Sequence, residues 1–308
     1  MTTPKKYLIT VIGPTAIGKT AMAIALARHF NAEVISADSR QFFQEMTIGT
    51  AVPSKDELEA AKHHFIQDIS IFENYSVGDF ERDAIAKLDE IFETNDTAIM
   101  VGGSGLYIDA VLKGFDDFPD VDPAIRQQLI TDFESGGIKY LQNELQHLDP
   151  AHYDKVAKEN PQRLMRALEV CIGTGRPYSS FLNIKKNSRR FIPIVIGLEA
   201  DREVMYNRIN RRVDIMVSDG LIEEARILYP HKSLNALQTV GYRELFSYFD
   251  GEMPLDFALE EIKKNTRRFA KRQMTWFKRT ENAAWFDFAT PPAKIINYIE
   301  TQLHAHSS

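Results

Sequence analysis

Cysteine is almost absent from this 308-residue sequence, which contains only Cys171. A lone cysteine excludes an internal disulfide framework and a zinc site built from several cysteine ligands. Long apolar runs are also missing, because none approaches the ~18 residues that a membrane-spanning helix needs. The apolar stretch after Tyr7 is too short for a secretory signal peptide. We therefore expect a soluble, cytoplasmic protein with no membrane partner, and a monomer by default.

Charge is distributed unevenly along the chain, whose formal net charge is -6. Residues 1–150 carry 12 Lys+Arg against 24 Asp+Glu, whereas residues 151–308 carry 25 against 19. Eight basic and two acidic residues fall within 258–280, where the pattern predicts a long helix. This segregation favours a polyanionic partner for the second half of the chain, with a solvated helix face as the alternative.

The first hundred residues alternate between two patterns. Short apolar segments rich in β-forming residues at 7–12, 33–37 and 98–101 predict buried strands, and segments 19–30 and 79–92 have helical periodicity. Alternation of this kind is typical of a parallel sheet with helices on both faces. The sequence therefore predicts an α/β protein with a P-loop NTPase-like sheet.

The pattern changes near residue 115 and returns to β character at 189–198. Residues 116–188 look helical and contain no convincing strand. Breaks are expected at Gly136-Gly137, Pro150 and Pro161. We therefore predict an α/β core made of residues 1–115 and 189–308, interrupted by a helical insertion domain at 116–188.

The most specific local motif follows the first predicted strand and matches G-x-x-x-x-G-K-[ST]. Its residues are Gly13, Pro14, Thr15, Ala16, Ile17, Gly18, Lys19 and Thr20. A position between a strand and a helix is typical of a P-loop, whose backbone amides bind a di- or triphosphate. Lys19 adds a positive charge, and the Thr20 hydroxyl can ligate Mg²⁺. The motif predicts a phosphate-bearing ligand but not phosphoryl transfer as such.

Polar residues also follow the next two predicted strands. They are Asp38-Ser39-Arg40-Gln41 after the second strand and Ser104 after the third. Ligands of doubly wound sheets bind beyond the carboxyl ends of the strands. Asp38 could thus act as a general base or hold Mg²⁺ through water, and the alternative is a turn or helix-capping role.

Two predicted helices carry clustered arginines. Arg163 and Arg166 are three residues apart on a helix that begins at Pro161, and so share a face. They could contact a phosphate backbone or base edges, or pair with nearby carboxylates. The other helix carries Arg208, Arg211 and Arg212. An arginine there that reached the P-loop would neutralise charge on a leaving phosphate group, with surface salt bridges as the alternative.

Taken together, the motifs resemble the tRNA dimethylallyltransferase family, also called tRNA isopentenyltransferases, over nearly the whole chain. The matching blocks are GPTAIGKT at 13–20, Asp38-Ser-x-Gln followed by Ile48-Gly-Thr-Ala, Tyr75-Ser-Val-Gly-Asp-Phe-Glu-Arg-Asp-Ala, Val101-Gly-Gly-Ser-Gly-Leu-Tyr-Ile, Pro161-Gln-Arg-Leu-Met-Arg-Ala-Leu-Glu, Gln238-Thr-Val-Gly-Tyr-Arg-Glu-Leu and Thr266-Arg-Arg-Phe-Ala-Lys-Arg-Gln-Met-Thr-Trp-Phe. Ser104 stands where the family more often has Thr, and Val52 where it often has Lys. Because no Cys₂His₂ extension follows the core, the resemblance implies the bacterial type.

This resemblance implies a specific reaction. The enzyme would transfer a dimethylallyl group from dimethylallyl diphosphate to N6 of adenosine 37 in tRNA and release diphosphate. The P-loop would then hold the diphosphate leaving group rather than ATP. Lys19, Arg212 and Mg²⁺ on Thr20 would stabilise charge on that leaving group. Asp38 would accept the N6 proton.

The resemblance also implies which residues contact the tRNA. The adenosine must leave its stack to reach the pocket, so base flipping is expected. The implied contacts to the flipped nucleotide are Asp38, Ser39, Arg40 and Gln41. Those to the anticodon stem-loop are Gln162, Arg163, Leu164, Met165 and Arg166, and further implied tRNA contacts are Ser104 and Arg126. The basic segment 263–279 would attract the phosphate backbone.

Three alternatives remain open at this point. A small-molecule P-loop kinase would share the fold, but it does not explain the basic C-terminal helix or the paired arginines of the insertion. An isopentenyltransferase acting on free adenine nucleotides would share the P-loop and the base, and only the tRNA-contact blocks argue against it. A non-catalytic RNA-binding relative is disfavoured by the intact Lys19, Thr20 and Asp38.

Overall fold

The computed structural model describes residues 5–116, 118–182 and 189–307. Its strands are β1 (Lys6–Ile12), β2 (Val34–Ser36), β3 (His63–His64), β4 (Thr97–Val101), β5 (Phe191–Glu199) and β6 (Ala284–Asp287). Its helices are α1 (Lys19–Phe30), α2 (Lys55–Ala60), α3 (Val77–Thr94), α4 (Gly105–Lys113), α5 (Pro123–Leu148), α6 (Pro150–Tyr153), α7 (Pro161–Thr174), α8 (Arg202–Ser218), α9 (Leu221–Leu228), α10 (Tyr242–Phe249), α11 (Leu255–Phe277) and α12 (Pro292–Ser307). The chain divides into two compact units, Met1–Leu112 with Arg189–Ser308, and Lys113–Ser188.

The strands of the first unit form one sheet in the order β3-β2-β4-β1-β5-β6, with every pair parallel. Side chains alternate along the central strand β1, so its two faces meet different helices. Ile9 and Val11 pack with residues of α1 and α12. Leu8 and Ile12 pack with α3, α4 and the end of α11. Helices thus cover both faces, and the predicted α/β fold class is confirmed.

Every regular element among the described residues of the second unit is a helix. α5 is interrupted at Gly137, which has a φ of 66° and a ψ of −169°, at one of the predicted breaks. Pro150 and Pro161 are the first residues of α6 and α7, where a missing backbone N–H costs nothing. α5 and α7 bury a leucine-rich core made of Leu129, Leu141, Leu145, Leu164 and Leu168. No helix in the described part of the chain is long and apolar enough to cross a membrane.

The strand order brings three loops to one edge of the sheet. β1 lies beside β4 and β4 beside β2, so the segments that follow these strands are neighbours. The N–H of Ala37, at the end of β2, donates to the carbonyl of Val101 at 2.7 Å, and the N–H of Ser104 donates back to the carbonyl of Ala37 at 3.3 Å. The P-loop and the polar residues predicted from the sequence therefore converge.

Candidate active site

The P-loop encloses the side chain of a half-buried lysine, Lys19. Gly13 has a φ of 148°, and a Cβ there would lie 2.6 Å from the carbonyl oxygen of Leu198, so only glycine fits. The Lys19 ammonium donates to the carbonyl of Pro14 at 2.8 Å. Burial lowers the pKa of Lys19 to about 8, the Asp38 carboxylate opposes this shift, and the Arg212 charge adds to it. An anion bound in this loop would stabilise the charged ammonium of Lys19 and raise its pKa again.

Three of the four arginines of α8, namely Arg208, Arg211 and Arg212, lie at the P-loop. Arg212 donates to the Thr15 hydroxyl at 3.2 Å, and Arg208 donates to the carbonyl of Ala16 at 2.8 Å. Arg211 lines the cavity that the P-loop forms with α8. Burial lowers the pKa of Arg212. The nearby Asp38 carboxylate raises it, because the two opposite charges attract each other. None of these three arginines forms a salt bridge with a described residue, and their role at a bound phosphate stays a prediction.

Two cavities meet beside Asp38. One, of about 700 Å³, is lined by residues of the P-loop and by Arg208, Arg211 and Arg212 of α8. The other, of about 560 Å³, is lined by Ser39, Arg40, Ser104 and residues of α11. Seven residues line both cavities: Thr15, Asp38, Thr50, Arg212, Met216, Phe269 and Gln273. A phosphate-bearing ligand in the first cavity and an acceptor in the second would therefore meet at Asp38 and Arg212.

Ser104 fixes the segment that carries Asp38. Its hydroxyl accepts the N–H of Ser39 at 3.0 Å and donates to the Ser39 hydroxyl at 3.0 Å. Asp38 itself accepts the N–H of Arg40 at 3.2 Å, which orients its carboxylate locally. The hydroxyl that Ser104 shares with the family's more common Thr thus has a structural use in this chain.

Arg40 and Gln41 also hold neighbouring loops. Arg40 donates to two successive carbonyls, those of Asn235 and Ala236, at 3.0 Å each. Gln41 donates to the carbonyl of Ala51 at 2.8 Å and lines the P-loop cavity rather than the second cavity. Both side chains therefore shape the walls of the site, and only Arg40 also faces the second cavity.

Sequence reasoning missed Gln273, which joins two of the three loops. This residue of α11 is only 6% exposed. Its side-chain oxygen accepts the N–H of Thr15 at 2.8 Å, and its side-chain nitrogen donates to the carbonyl of Gly103 at 2.9 Å. The available signal was an uncharged polar residue on the apolar face of an otherwise basic helix.

Sequence reasoning also missed Glu224, on α9. Its carboxylate accepts three consecutive backbone N–H groups, those of Thr47, Ile48 and Gly49, at 2.7 to 3.0 Å. The Tyr242 hydroxyl also donates to it at 2.6 Å, and burial together with this carboxylate raises the pKa of Tyr242. Glu224 thereby fixes the loop that carries Thr50 into the shared wall of the two cavities.

The predicted tRNA-contact residues of the second unit divide into three groups. Arg126 and Arg166 both pair with the buried Glu169, at 3.1 and 3.5 Å, and Arg126 also donates to Gln162 at 2.6 Å. Arg163 is exposed and forms no ion pair with any described residue. Leu164 and Met165 are 0% and 3% exposed in the helical core. The expectation of tRNA contact is therefore corrected for these two side chains, because packing occupies them.

Oxygen donors suited to a divalent cation lie at the P-loop. The Thr20 hydroxyl and the Asp38 carboxylate line the same cavity, and Mg²⁺ prefers oxygen ligands while keeping several non-protein ones. No cluster of three or more His, Cys, Asp or Glu able to hold a metal occurs among the described residues. This donor set fits an ion held chiefly by a bound diphosphate, and does not fit an all-protein metal site.

Comparison with known proteins identifies the family of this chain. The family model described as IPP transferase matches residues 41–280. The chain belongs to the IPP transferase family. A tRNA dimethylallyltransferase of Flavobacterium johnsoniae is 65% identical over 304 residues, which cover 97% of this chain and 98% of that protein.

Solved structures of the IPP transferase family share the fold. The full-length tRNA isopentenylpyrophosphate transferase of Bacillus halodurans is 37% identical, covers 98% of each chain and gives a TM-score of 0.74. A eukaryotic dimethylallyltransferase acting on tRNA is 26% identical, with a TM-score of 0.80 over 93% of this chain and 75% of that one. The chain is therefore a prenyl transferase of this family, and tRNA and dimethylallyl diphosphate are the substrates that membership implies. The kinase alternative is disfavoured.

Proposed function

We propose that this chain transfers the dimethylallyl group of dimethylallyl diphosphate to N6 of adenosine 37 in tRNA. The observation that carries the proposal is the position of Asp38 and Arg212 in the wall shared by the two cavities. Arg212 faces the P-loop through Thr15. One side of this wall suits a diphosphate, and the other suits the base that receives the prenyl group.

The P-loop side holds the donor. Its amides, Lys19 and Arg212 bind the diphosphate and stabilise the charge that develops as the allylic C–O bond breaks. Thr20 would hold Mg²⁺ together with the diphosphate, and the bound ion would supply further neutralisation of the leaving group. The low pKa of Lys19 in the free protein means that donor binding is coupled to protonation of this lysine.

The second cavity receives the adenine. As the exocyclic nitrogen forms its bond to C1 of the donor, the C–O bond breaks and Asp38 accepts the N6 proton. An aromatic amine is a weak nucleophile, so alignment of the two substrates must supply much of the acceleration. Ser39, Arg40 and Ser104 would contact the flipped nucleotide from the wall of this cavity.

The remaining contacts are with the anticodon stem-loop. Arg163, exposed and without an ion pair among the described residues, is proposed to bind it directly, with Arg126, Gln162 and Arg166 beside it on the same unit. We further propose that the enzyme acts in the cytoplasm, where tRNA is found, and that one chain is sufficient, since Lys19, Asp38 and Arg212 all belong to one compact unit.

The test is a transfer assay with labelled dimethylallyl diphosphate and Mg²⁺. Parallel reactions contain unmodified tRNA, the same tRNA with guanosine at position 37, and AMP. We expect label in the adenosine tRNA alone. Label in AMP would move the function to free nucleotides, and label in the guanosine tRNA would exclude the proposed site.

A further inference from the structure

Partly exposed apolar side chains line the second cavity. Leu106, Phe269 and Trp276 are 44%, 39% and 37% exposed, and all three line this cavity. Phe269 and Trp276 are seven residues apart on α11, so they share one face of the helix. Large apolar groups exposed together at a cavity indicate contact with a ligand or partner. The proposed chemistry at Asp38 uses none of them.

The Trp276 ring is held in one orientation. Its indole nitrogen donates to the Asp109 carboxylate at 2.7 Å. A Cβ on Gly105 would lie 2.4 Å from Cδ1 of the indole, so the ring lies directly against the Gly105 backbone. A ring that is already oriented loses little side-chain freedom when a flat ligand stacks on its exposed part.

Unpaired positive charges accompany the aromatic rings. Arg243 and Arg272 are exposed, line the same cavity and form no ion pair with any described residue. The Arg272 guanidinium lies 5.7 Å from the centre of the Phe269 ring. Aromatic side chains interleaved with cations are typical of surfaces that bind single-stranded nucleic acid, where bases stack and phosphates meet the charges.

We propose that Phe269, Arg272 and Trp276 form a stacking surface for an unpaired RNA base adjacent to the target adenosine. This inference rests on the proposed function and identifies how the same cavity selects RNA over a free nucleotide. Flipping one nucleotide out of a stacked loop leaves the neighbouring base without its stacking partner. The partly exposed indole in the wall of the cavity replaces that partner.

A thermodynamic cycle tests the stacking surface. Binding of a fluorescently labelled anticodon stem-loop is measured without donor, for the wild type and Trp276→Ala, and with an abasic residue on the 5′ or 3′ side of the adenosine. We expect Trp276→Ala and the abasic residue on one side each to weaken binding about fivefold or more. Trp276→Ala tested with that abasic stem-loop should weaken binding no more than either change does alone. If the losses of affinity from Trp276→Ala and from the abasic residue multiply at both flanking positions, the proposed stacking surface is overturned.

Two further variants exclude a merely structural effect. Trp276→Phe keeps an aromatic face without the indole donor and should restore most of the affinity and the dependence on the flanking base. Phe257→Ala removes an aromatic side chain that is 52% exposed on the same helix but lines neither cavity, and should bind like the wild type. Failure of the wild type to bind the stem-loop, with transfer to AMP intact, would overturn the proposed function itself, a result distinct from multiplicative effects.

Discussion

The side-chain amide of Gln273 accepts the backbone N–H of Thr15 at 2.8 Å, across 258 positions of the chain. The same amide donates to the carbonyl of Gly103 at 2.9 Å. One side chain of α11 therefore fixes the distance between the P-loop after β1 and the loop after β4. Because the loop after β4 holds the Asp38 segment through Ser104, Gln273 sets the geometry between the donor site and the proposed base.

Replacing Gln273 by Glu should impair donor binding. A carboxylate can still accept the N–H of Thr15, but it cannot donate to Gly103 and places negative charge beside the diphosphate. An unmatched buried polar pair costs about 1–3 kcal/mol, so we expect the KM for dimethylallyl diphosphate to rise about tenfold or more. Steady-state kinetics with saturating tRNA measures this. The exposed Thr275→Ala, on the same helix, should leave the KM unchanged; an equal rise there would contradict the assignment.

Donor affinity should fall at high pH because of Lys19. Burial lowers the pKa of Lys19 to about 8, so the ammonium of the free protein loses its proton above that pH. The bound diphosphate favours the charged form and raises this pKa, so binding takes up a proton between the two values. We expect the dissociation constant of dimethylallyl diphosphate to rise by up to about tenfold per pH unit above pH 8.

Equilibrium dialysis of labelled dimethylallyl diphosphate without tRNA measures this dependence directly. Lys19→Arg provides the control, since a guanidinium stays charged over the whole range. Its affinity should be lower than that of the wild type but nearly independent of pH between 7 and 10. A wild-type affinity that does not change between pH 7 and 10 would show that Lys19 does not titrate in this range.

Arg163 should contribute to tRNA affinity more than its neighbours on α7. It is exposed and forms no ion pair with a described residue, whereas Arg166 is paired with Glu169. Arg163→Ala should weaken tRNA binding and reduce the slope of log affinity against log salt by about 1. Lys139→Ala removes an exposed cation of α5 as a control and should leave the slope unchanged. A slope equal to that of the wild type in Arg163→Ala would remove this arginine from the interface.

Glu224 should contribute to the stability of the fold. Its carboxylate accepts three backbone N–H groups, and Glu224→Gln replaces one acceptor oxygen with a donor. Charge-assisted hydrogen bonds contribute about 1.5–3 kcal/mol, so the free energy of unfolding should fall by about 2 kcal/mol or more in denaturant titrations. Glu223→Gln, at the exposed neighbouring position, is the matched control. Equal stability of the two variants would exclude this role of Glu224.

Local sequence patterns were sufficient to predict the part of the fold that carries the P-loop. β1 and α1 follow from an apolar run, a glycine motif and a helical pattern within 25 residues, and the structure has them at Lys6–Ile12 and Lys19–Phe30. The two-residue β3 was not predicted, because His63 and His64 are a strand only by pairing with β2. α9 and α10 were also missed; both are only eight residues long.

The residues of the site also divide into those that local motifs predict and those that depend on distant contacts. Lys19, Asp38, Arg208, Arg211 and Arg212 lie in recognisable motifs, and the structure brings them to one cavity. Gln273 and Glu224 contact loop residues at least 170 positions away, and no local pattern encodes such contacts. For Leu164 and Met165, the motif was recognised but the helix face was not, so residues that build the core were assigned to tRNA contact.

The most direct test of the proposed mechanism is single-turnover transfer by Asp38→Asn. The amide keeps the size of the side chain and the N–H contact from Arg40, but it cannot accept the N6 proton. We expect the transfer rate to fall about 100-fold or more, with the dissociation constants of both substrates within about threefold of the wild type. A transfer rate close to that of the wild type, with both substrates bound, would contradict the role of Asp38 as the base between the two cavities.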